Sequence, residues 1–203
     1  LVKGKYMRRF KAQLFSTLSV LTLTACTVFG DVSVKVAPYK VTASDGAFEL
    51  RHYEQLVLVS TGMPDGMDSA SGPFRKLFDY ISGKNNKKEK IAMTAPVFLN
   101  QAGQTTKTMS FVLPKDFVLL KAPLPIDPAV NLTELSNYSV AVITFSGFLN
   151  QDTISSKKVM LEKWAEIRGL KVIGEAIAAG YNPPFTLPFL RRNEIFIPVE
   201  MPR

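Results

Sequence analysis

The sequence predicts an α+β domain in which two βαββ repeats form one antiparallel distorted β-barrel or open sheet with two helices packed against it. Three observations favour this fold. Apolar residues alternate along several segments, two longer segments carry a helical apolar stripe, and the order strand, helix, strand, strand occurs twice. The halves share little sequence identity, so the repeat is one of element order and spacing.

The first strand is predicted from the start of the folded region near Ala47. Apolar residues alternate from Phe48 to Leu58, and His52 shares their parity. The run ends in three consecutive apolar residues at 57–59. This pattern predicts a half-buried strand that becomes fully buried.

The first helix follows a segment interrupted by Gly and Pro. Its apolar residues are spaced i, i+3, i+4 and i+7: Phe74, Leu77, Phe78 and Ile81. Pro73 is tolerated in a first helical turn, and Gly83 marks the end. Two strands are expected next, over 91–99 and 108–113, joined by a turn at 100–103.

The second unit repeats this order after a proline-rich crossing. A strand is predicted over 138–145, followed by a helix over about 153–168 that ends at Gly169. The apolar residues expected on one side of this helix are Met160, Leu161, Trp164 and Ile167. Strands over 172–181 and 193–199 complete the unit.

Composition limits the chemistry. The 203 residues carry 25 Lys and Arg against 17 Asp and Glu, and the net charge of +8 raises the question of a nucleic-acid partner. One Cys and one His exclude a disulfide framework, a multi-cysteine zinc site and a clustered-histidine metal centre. The apolar fraction of 46% supports a packed core, and one domain is the expectation at this length.

The N-terminal segment accounts for most of the excess charge. Residues 1–25 hold five basic residues and no acid, so removing them leaves 20 positive against 17 negative residues. An uncharged stretch over 14–25 follows the basic residues, as in an export signal. It is shorter than the roughly 20 residues needed to span a bilayer. Translation is expected to start at Met7, although Leu1 stays open, and the +3 that remains requires no nucleic-acid partner.

The end of this stretch, Leu23-Thr24-Ala25-Cys26, resembles the lipobox of bacterial lipoproteins. The resemblance implies that residues 1–25 are a signal peptide cleaved before Cys26, which then carries the lipid anchor. Residues 26–46 would be a tether and 47–203 the domain. Thr27 after the Cys implies the outer membrane, facing the periplasm. The alternative is a buried Cys that follows an uncleaved anchor.

Several blocks resemble the SOUL haem-binding family in order and spacing. They are residues 48–53 (FELRHY), 74–85 (FRKLFDYISGKN), 90–97 (KIAMTAPV), 109–114 (MSFVLP), 145–147 (FSG), 180–185 (GYNPPF) and 192–194 (RNE). The resemblance implies two βαββ repeats in a distorted barrel. It also implies binding of haem or a related tetrapyrrole.

The family groove is expected along the first helix, and a porphyrin needs an apolar surface with cations at its rim. The candidates are Phe74, Leu77, Phe78 and Ile81, with Arg75, Lys76 and Lys84 as propionate partners. The alternative is that this stripe is the core face of the helix. The haem would then rest on an adjacent exposed patch, with Met63 and Met67 near by.

His52 is the only imidazole that could ligate haem iron. One branch of the family has a histidine in the matching block, proposed as the axial ligand, so the resemblance implies that role for His52. The alternative is a hydrogen-bonded structural histidine in a strand. Both interpretations stay open at this point.

Enzyme activity is not expected. The sequence has no Gly-x-Ser-x-Gly elbow and no glycine-rich phosphate loop, and no pair among its carboxylates is selected by spacing. Paired βαββ units also resemble effector-binding domains of transcription regulators, so a binding or sensor module for another apolar molecule or a protein is the alternative. The sequence therefore predicts a membrane-anchored, non-catalytic tetrapyrrole binder.

Overall fold

The computed structural model describes residues 34–63, 71–100 and 107–200, which form ten strands and two α-helices. The strands are β1 (Lys35–Val36), β2 (Lys40–Asp45), β3 (Phe48–Gly62), β4 (Thr94–Ala95), β5 (Val97–Asn100), β6 (Thr108–Val112), β7 (Val130–Phe145), β8 (Lys171–Val172), β9 (Ile177–Gly180) and β10 (Asn193–Glu200). The helices are α1 (Ser71–Ile81) and α2 (Gln151–Ile167). The predicted signal peptide, Cys26, Met67 and the turn residues 101–103 lie outside the described residues.

Six strands close into an antiparallel barrel, which confirms the predicted fold class. The order is β3, β6, β5, β9, β10 and β7, and pairing of β7 with β3 completes the circle. The two long strands pair from Phe48 opposite Ile143 to Thr61 opposite Val130. Because closure pairs the strands on both sides, the barrel core has no free edge.

Three apolar layers stabilise the barrel. The interior layer takes residues from all six strands: Tyr53, Leu56, Phe98, Val112, Val140, Val142, Ala179 and Phe196. A second layer lies between α2 and the outer face of the sheet, where Trp164 stacks on Phe48 with ring centroids 5.5 Å apart. A third lies under α1 and contains Val57, Val59 and Phe111.

The face that β3 presents to the interior changes along its length. Arg51 and Tyr53 are buried on the inside, whereas Leu56 belongs to the interior layer further along. The parity therefore reverses between Tyr53 and Leu56. Asn137 of β7, which lies between the Tyr138 and Ser136 pairings, has a left-handed φ of 50° at this point. A residue in this conformation changes the direction in which side chains of the strand pair point. The strict alternation of inward and outward side chains predicted for β3 is therefore wrong.

The predicted tether is wrong where it reaches residues 35–45. β2 pairs with β3 from Lys40 opposite His52 to Asp45 opposite Phe48, and β1 pairs in parallel with β4. These residues therefore belong to the domain, which begins before Ala47. An edge strand exposes most of its side chains, so its composition is close to that of a linker.

Two strand boundaries also differ from the prediction. β7 begins at Val130, eight residues before the predicted start, because polar residues on its exposed side mask the alternation. The single strand expected over 172–181 is two strands, β8 and β9, separated around Gly174. The strand expected over 91–99 is confined to the short β4 and to β5.

α2 uses a different set of residues for packing than predicted. Ile154, Leu161, Trp164 and Ala165 are buried, whereas Met160 and Ile167 are exposed. Asn150 is the N-cap of the helix, and its Oδ1 accepts a hydrogen bond of 2.9 Å from the backbone N–H of Thr153. In the described part of the chain, neither helix is long and apolar enough to cross a membrane.

A buried ion pair joins β3 to β10 across the intervening β7. Arg51 donates to both carboxylate oxygens of Glu194, at 2.8 and 3.0 Å, and both side chains are 1% exposed or less. Arg192 donates to Glu194 Oε1 at 2.7 Å, and the Tyr181 hydroxyl donates to Oε2 at 2.6 Å. Although burial alone would raise the pKa of Glu194, hydrogen bonds and charge from Arg51 and its neighbours hold that pKa below its usual value.

Replacing Glu194 should destabilise the fold strongly. In Glu194→Ala the Arg51 guanidinium stays buried without its principal partner, which typically costs about 3–5 kcal/mol. The measurement is the free energy of unfolding from urea denaturation. The control is Glu54→Ala, which removes an exposed ion pair to Lys40 and should leave the midpoint near that of the parent. Equal midpoints for both variants would contradict the role given to the pair.

Candidate functional site

The apolar stripe of α1 is divided between the core and the surface. Leu77 and Ile81 are 0% and 4% exposed and belong to the layer under α1, together with Tyr80. Phe74 and Phe78 are 38% and 49% exposed. Leu77 and Ile81 are therefore part of the core in this structure, and their role as pocket residues stays a prediction. The two phenylalanines remain available.

Phe74 and Phe78 form a stacked aromatic pair with nearly parallel ring planes on one flank of α1. Their ring centroids are 6.2 Å apart with an interplanar angle of 13°. Phe74 also packs edge-on against the buried Phe111 at 5.1 Å, which fixes its orientation. Arg75 is exposed and lies three residues before Phe78, so the two are neighbours on the helix surface. We call Phe74, Arg75 and Phe78 the α1 outer patch.

The structure describes one of the two methionines that were predicted to lie near the ligand. Met63 is half-buried at the end of β3 and packs against the layer under α1. This is the same layer on which Phe74 rests through Phe111. Met67 lies outside the described residues.

Two other predicted cations lie on the opposite flank of α1. Lys76 and Lys84 line a cleft of about 590 Å³ between the end of α1 and residues 125–130. Lys84 Nζ forms an ion pair of 2.8 Å with Asp79, so part of its charge is neutralised. These lysines and the α1 outer patch therefore face different surfaces.

Asn85 organises the loop that forms one wall of this cleft. Its side chain is fully buried and donates to the carbonyls of Tyr80 and Glu89 at 3.0 and 2.7 Å. Its Oδ1 accepts from the backbone N–H groups of Lys87 and Glu89. The charged loop is thereby held against the helix end. Burial raises the pKa of Tyr80 to about 12, and its hydroxyl donates to Pro123 O at 2.8 Å.

His52 lies apart from the α1 residues. Its Nδ1 is 3.0 Å from Ser139 Oγ, and its ring lines a second cleft of about 420 Å³ beside Tyr39 and Lys40. At about 3.3 Å per residue, His52 is roughly 17 Å along β3 from Val57, which belongs to the layer under α1 and also lines this second cleft. None of Phe74, Arg75 and Phe78 lines the cleft that contains His52. The structure does not bring His52 together with the α1 outer patch.

The sequence analysis did not single out a group of buried side chains that are hydrogen-bonded to one another inside the barrel. Arg51, Tyr181, Arg192 and Glu194 form one buried network. Their only sequence signal is that all four lie in the blocks that resemble the family. The Arg51 guanidinium lies 4.3 Å from the centroid of the Tyr39 ring, which covers the network at one end.

The arrangement suits an apolar planar ligand more than a bare metal ion. The α1 outer patch combines exposed aromatic area with a cation, which matches the face and rim of a porphyrin. Within residues 34–63, 71–100 and 107–200, no group of three His, Cys, Asp or Glu side chains is placed to hold a metal ion.

Comparisons with known sequences agree with the fold. Residues 34–198 match the family model described as SOUL heme-binding protein. Heme-binding protein 2 of Homo sapiens is 32% identical over 172 residues, covering 79% of this chain and 82% of that protein. Heme-binding protein 1 of Xenopus laevis is 28% identical over 161 residues, covering 74% and 82%.

Solved structures also share the architecture. The C-terminal domain of EcmrR aligns with a TM-score of 0.57 at 14% identity, covering 80% of this chain and 98% of that one. A hydrolase from Listeria innocua aligns with a TM-score of 0.53 at 10% identity, covering 78% and 94%. At these identities the likeness concerns the fold.

The division of the α1 stripe predicts that substitutions at Leu77 and at Phe78 lower the free energy of unfolding by different amounts. Leu77→Ala should lower the free energy of unfolding by about 2–5 kcal/mol, because it leaves a cavity in a closed layer. Phe78→Ala should cost much less, because half of the ring is already in water. Urea denaturation followed by circular dichroism measures both. A larger loss for Phe78→Ala than for Leu77→Ala would contradict the placement of these residues.

Proposed function

Because the chain belongs to the SOUL heme-binding protein family, we propose that it binds haem or a related tetrapyrrole and does not act as an enzyme. The two relatives reported above carry heme binding in their names, and the matched region covers 82% of each of them. The proposal for this chain rests on that membership together with the exposed surface of α1.

The α1 outer patch is the proposed binding surface. The observation that carries this proposal is the exposed, stacked pair of Phe74 and Phe78 on a helix whose other apolar residues are buried. A tetrapyrrole packed against this pair would remove exposed apolar area of the rings from water. Phe111 and the buried layer behind Phe74 provide a rigid backing.

Charge at the edge of the patch supports the same assignment. Arg75 is exposed and forms no ion pair with any residue that the structure describes. Its guanidinium can pair with a propionate at the rim of the ligand. Lys84 is a weaker candidate because it already pairs with Asp79, and Lys76 lies towards the cleft on the other flank.

His52 remains a prediction as an axial ligand of haem iron. Its Nδ1 faces Ser139, so Nε2 is the nitrogen that would bind iron. A haem ligated there would occupy the cleft beside Tyr39 and Lys40, away from the α1 outer patch. The two positions are therefore separable by mutation.

Removing the aromatic pair should weaken haem binding. In Phe74→Ser/Phe78→Ser, we expect the dissociation constant from a Soret titration to rise by about tenfold or more, since ~1.4 kcal/mol of lost contact already gives tenfold. The matched control is Phe185→Ser, which removes an exposed ring from the loop between β9 and β10. His52→Ala should leave the affinity unchanged if the haem lies on α1.

Each outcome of this titration distinguishes the candidates. A spectral change lost only in His52→Ala would move the site to the cleft beside Tyr39. Equal weakening by Phe185→Ser and the α1 double variant would show that binding is unspecific. Absence of a saturable Soret change in the parent at micromolar haem would contradict the proposed function and favour another apolar ligand or a protein partner.

We also propose that the domain is held to a membrane by lipid on Cys26, at the outer membrane and facing the periplasm. The support is the sequence alone: a basic start, an apolar stretch over 14–25 and the lipobox-like residues that end at Cys26. The first described strand begins at Lys35, which leaves a short connection between the Cys and the domain. Several acyl chains would give a stable attachment.

Lipid labelling tests the anchor independently of haem. Cells that express the full chain and receive a radiolabelled fatty acid should label the parent protein and not Cys26→Ser. The variant should also accumulate with its leader attached, because processing before the Cys requires the lipid. Equal labelling of both proteins would contradict the proposal.

A further inference from the structure

The loops at one end of the barrel present large apolar side chains to solvent. In the loop between β9 and β10, Phe185, Leu187 and Phe189 are 87%, 55% and 69% exposed. Phe148, from the loop before α2, is 58% exposed. An exposed apolar cluster of this kind marks an interaction surface.

These side chains are displayed by a rigid loop. Arg191 donates from Nε to Thr186 O at 2.7 Å and from Nη2 to Pro184 O at 2.5 Å. Its guanidinium lies 5.5 Å from the Phe148 ring centroid, and Gly147 N donates to Pro188 O at 2.8 Å. The two loops are therefore locked to each other. The aromatic rings are held outwards, so ordering this surface on binding costs little.

The composition of these loops suits a lipid interface. No acidic residue occurs in 181–192 or in 145–150, and the charges present are Arg191 and Arg192. Arg192 is bound to Glu194, which leaves Arg191 at the surface of the loop. Exposed Phe and Leu side chains with a basic residue beside them suit the boundary between the acyl chains and the headgroups of a bilayer. The nearest acids in sequence are Glu194, which is buried, and Asp152, in the first turn of α2.

The described chain also enters the domain at this end of the barrel. Tyr39, just after β1, accepts at its hydroxyl a hydrogen bond of 3.3 Å from Arg192 Nη2. β1 pairs with β4, and the next strand begins at Val97 opposite Gly180, the residue before the aromatic loop. From Cys26 to Val34 the chain can span at most about 29 Å. A lipid on Cys26 would keep these loops near a bilayer.

From these observations we propose that this end of the barrel docks on a membrane, with Phe148, Phe185 and Phe189 inserted into the interfacial region of the bilayer. The surface is separate from the α1 outer patch and does not depend on haem binding. The bilayer is favoured over a protein partner because the rings project from loop tips, the loops lack acids, and the chain enters beside them.

A tryptophan reporter tests the contact in the full chain. The protein has one tryptophan, Trp164, which is 7% exposed, so it supplies a constant background. The full chain is reconstituted in vesicles of phosphatidylethanolamine and phosphatidylglycerol that carry a nitroxide on a shallow acyl position. Phe185→Trp should add emission that is shifted to the blue and mostly lost to the nitroxide. Leu120→Trp, at a site 98% exposed elsewhere, should add unquenched emission.

Two results would overturn the proposal. One is equal quenching of Phe185→Trp and Leu120→Trp. The other is a blue shift of Phe185→Trp without quenching, which would mean that a second copy or the N-terminal segment covers the loop. Phe74→Ser/Phe78→Ser combined with Phe185→Trp should keep the quenching. Failure of the haem site and failure of this surface are therefore distinguished.

Discussion

The Arg51–Glu194 ion pair is the interaction on which the barrel depends. The pair is separated by 143 residues in sequence, and it crosses β7 inside the barrel. Removing two charges from water is expensive, and only complete hydrogen bonding offsets that cost. Glu194 receives that bonding from Arg51, Arg192 and Tyr181. A shifted register of β10 would separate Glu194 from Arg51 and leave Arg51 with Glu49 as its ion-pair partner. We infer that the network selects one closure of the sheet.

A filled interior also determines where a ligand can bind. Aromatic and aliphatic residues from six strands occupy the barrel beside the ion pair, and T-shaped packing of Phe98 on Phe196 closes the layer. The outer faces under α1 and α2 are filled as well. What remains for binding is the surface around the helices and loops. The same side chains cannot serve the core and a ligand at once, and the separation of Leu77 from Phe78 follows from this constraint.

The sequence predicted the elements more successfully than their faces. The spacing of Phe74, Leu77, Phe78 and Ile81 locates α1, because a helix repeats every 3.6 residues. It does not tell which flank a neighbouring sheet covers, since that depends on the crossing of distant strands. The reversal near Asn137 and the partner of Arg51 likewise depend on contacts far apart in sequence. Local periodicity carries no information about them.

The two exposed apolar surfaces differ in shape, and shape separates their roles. Phe74 and Phe78 form a stacked pair on a helix, with a packed layer behind Phe74 and Arg75 at the side, which suits an apolar molecule with acidic groups. Phe185 and Phe189 project from the tip of a proline-rich loop held by Arg191, where no flat area is offered. Rings that project from a loop are removed from water most completely by a fluid apolar phase, such as the acyl region of a bilayer, that surrounds each ring. Ligand binding on α1 and membrane contact at the loops can therefore occur together.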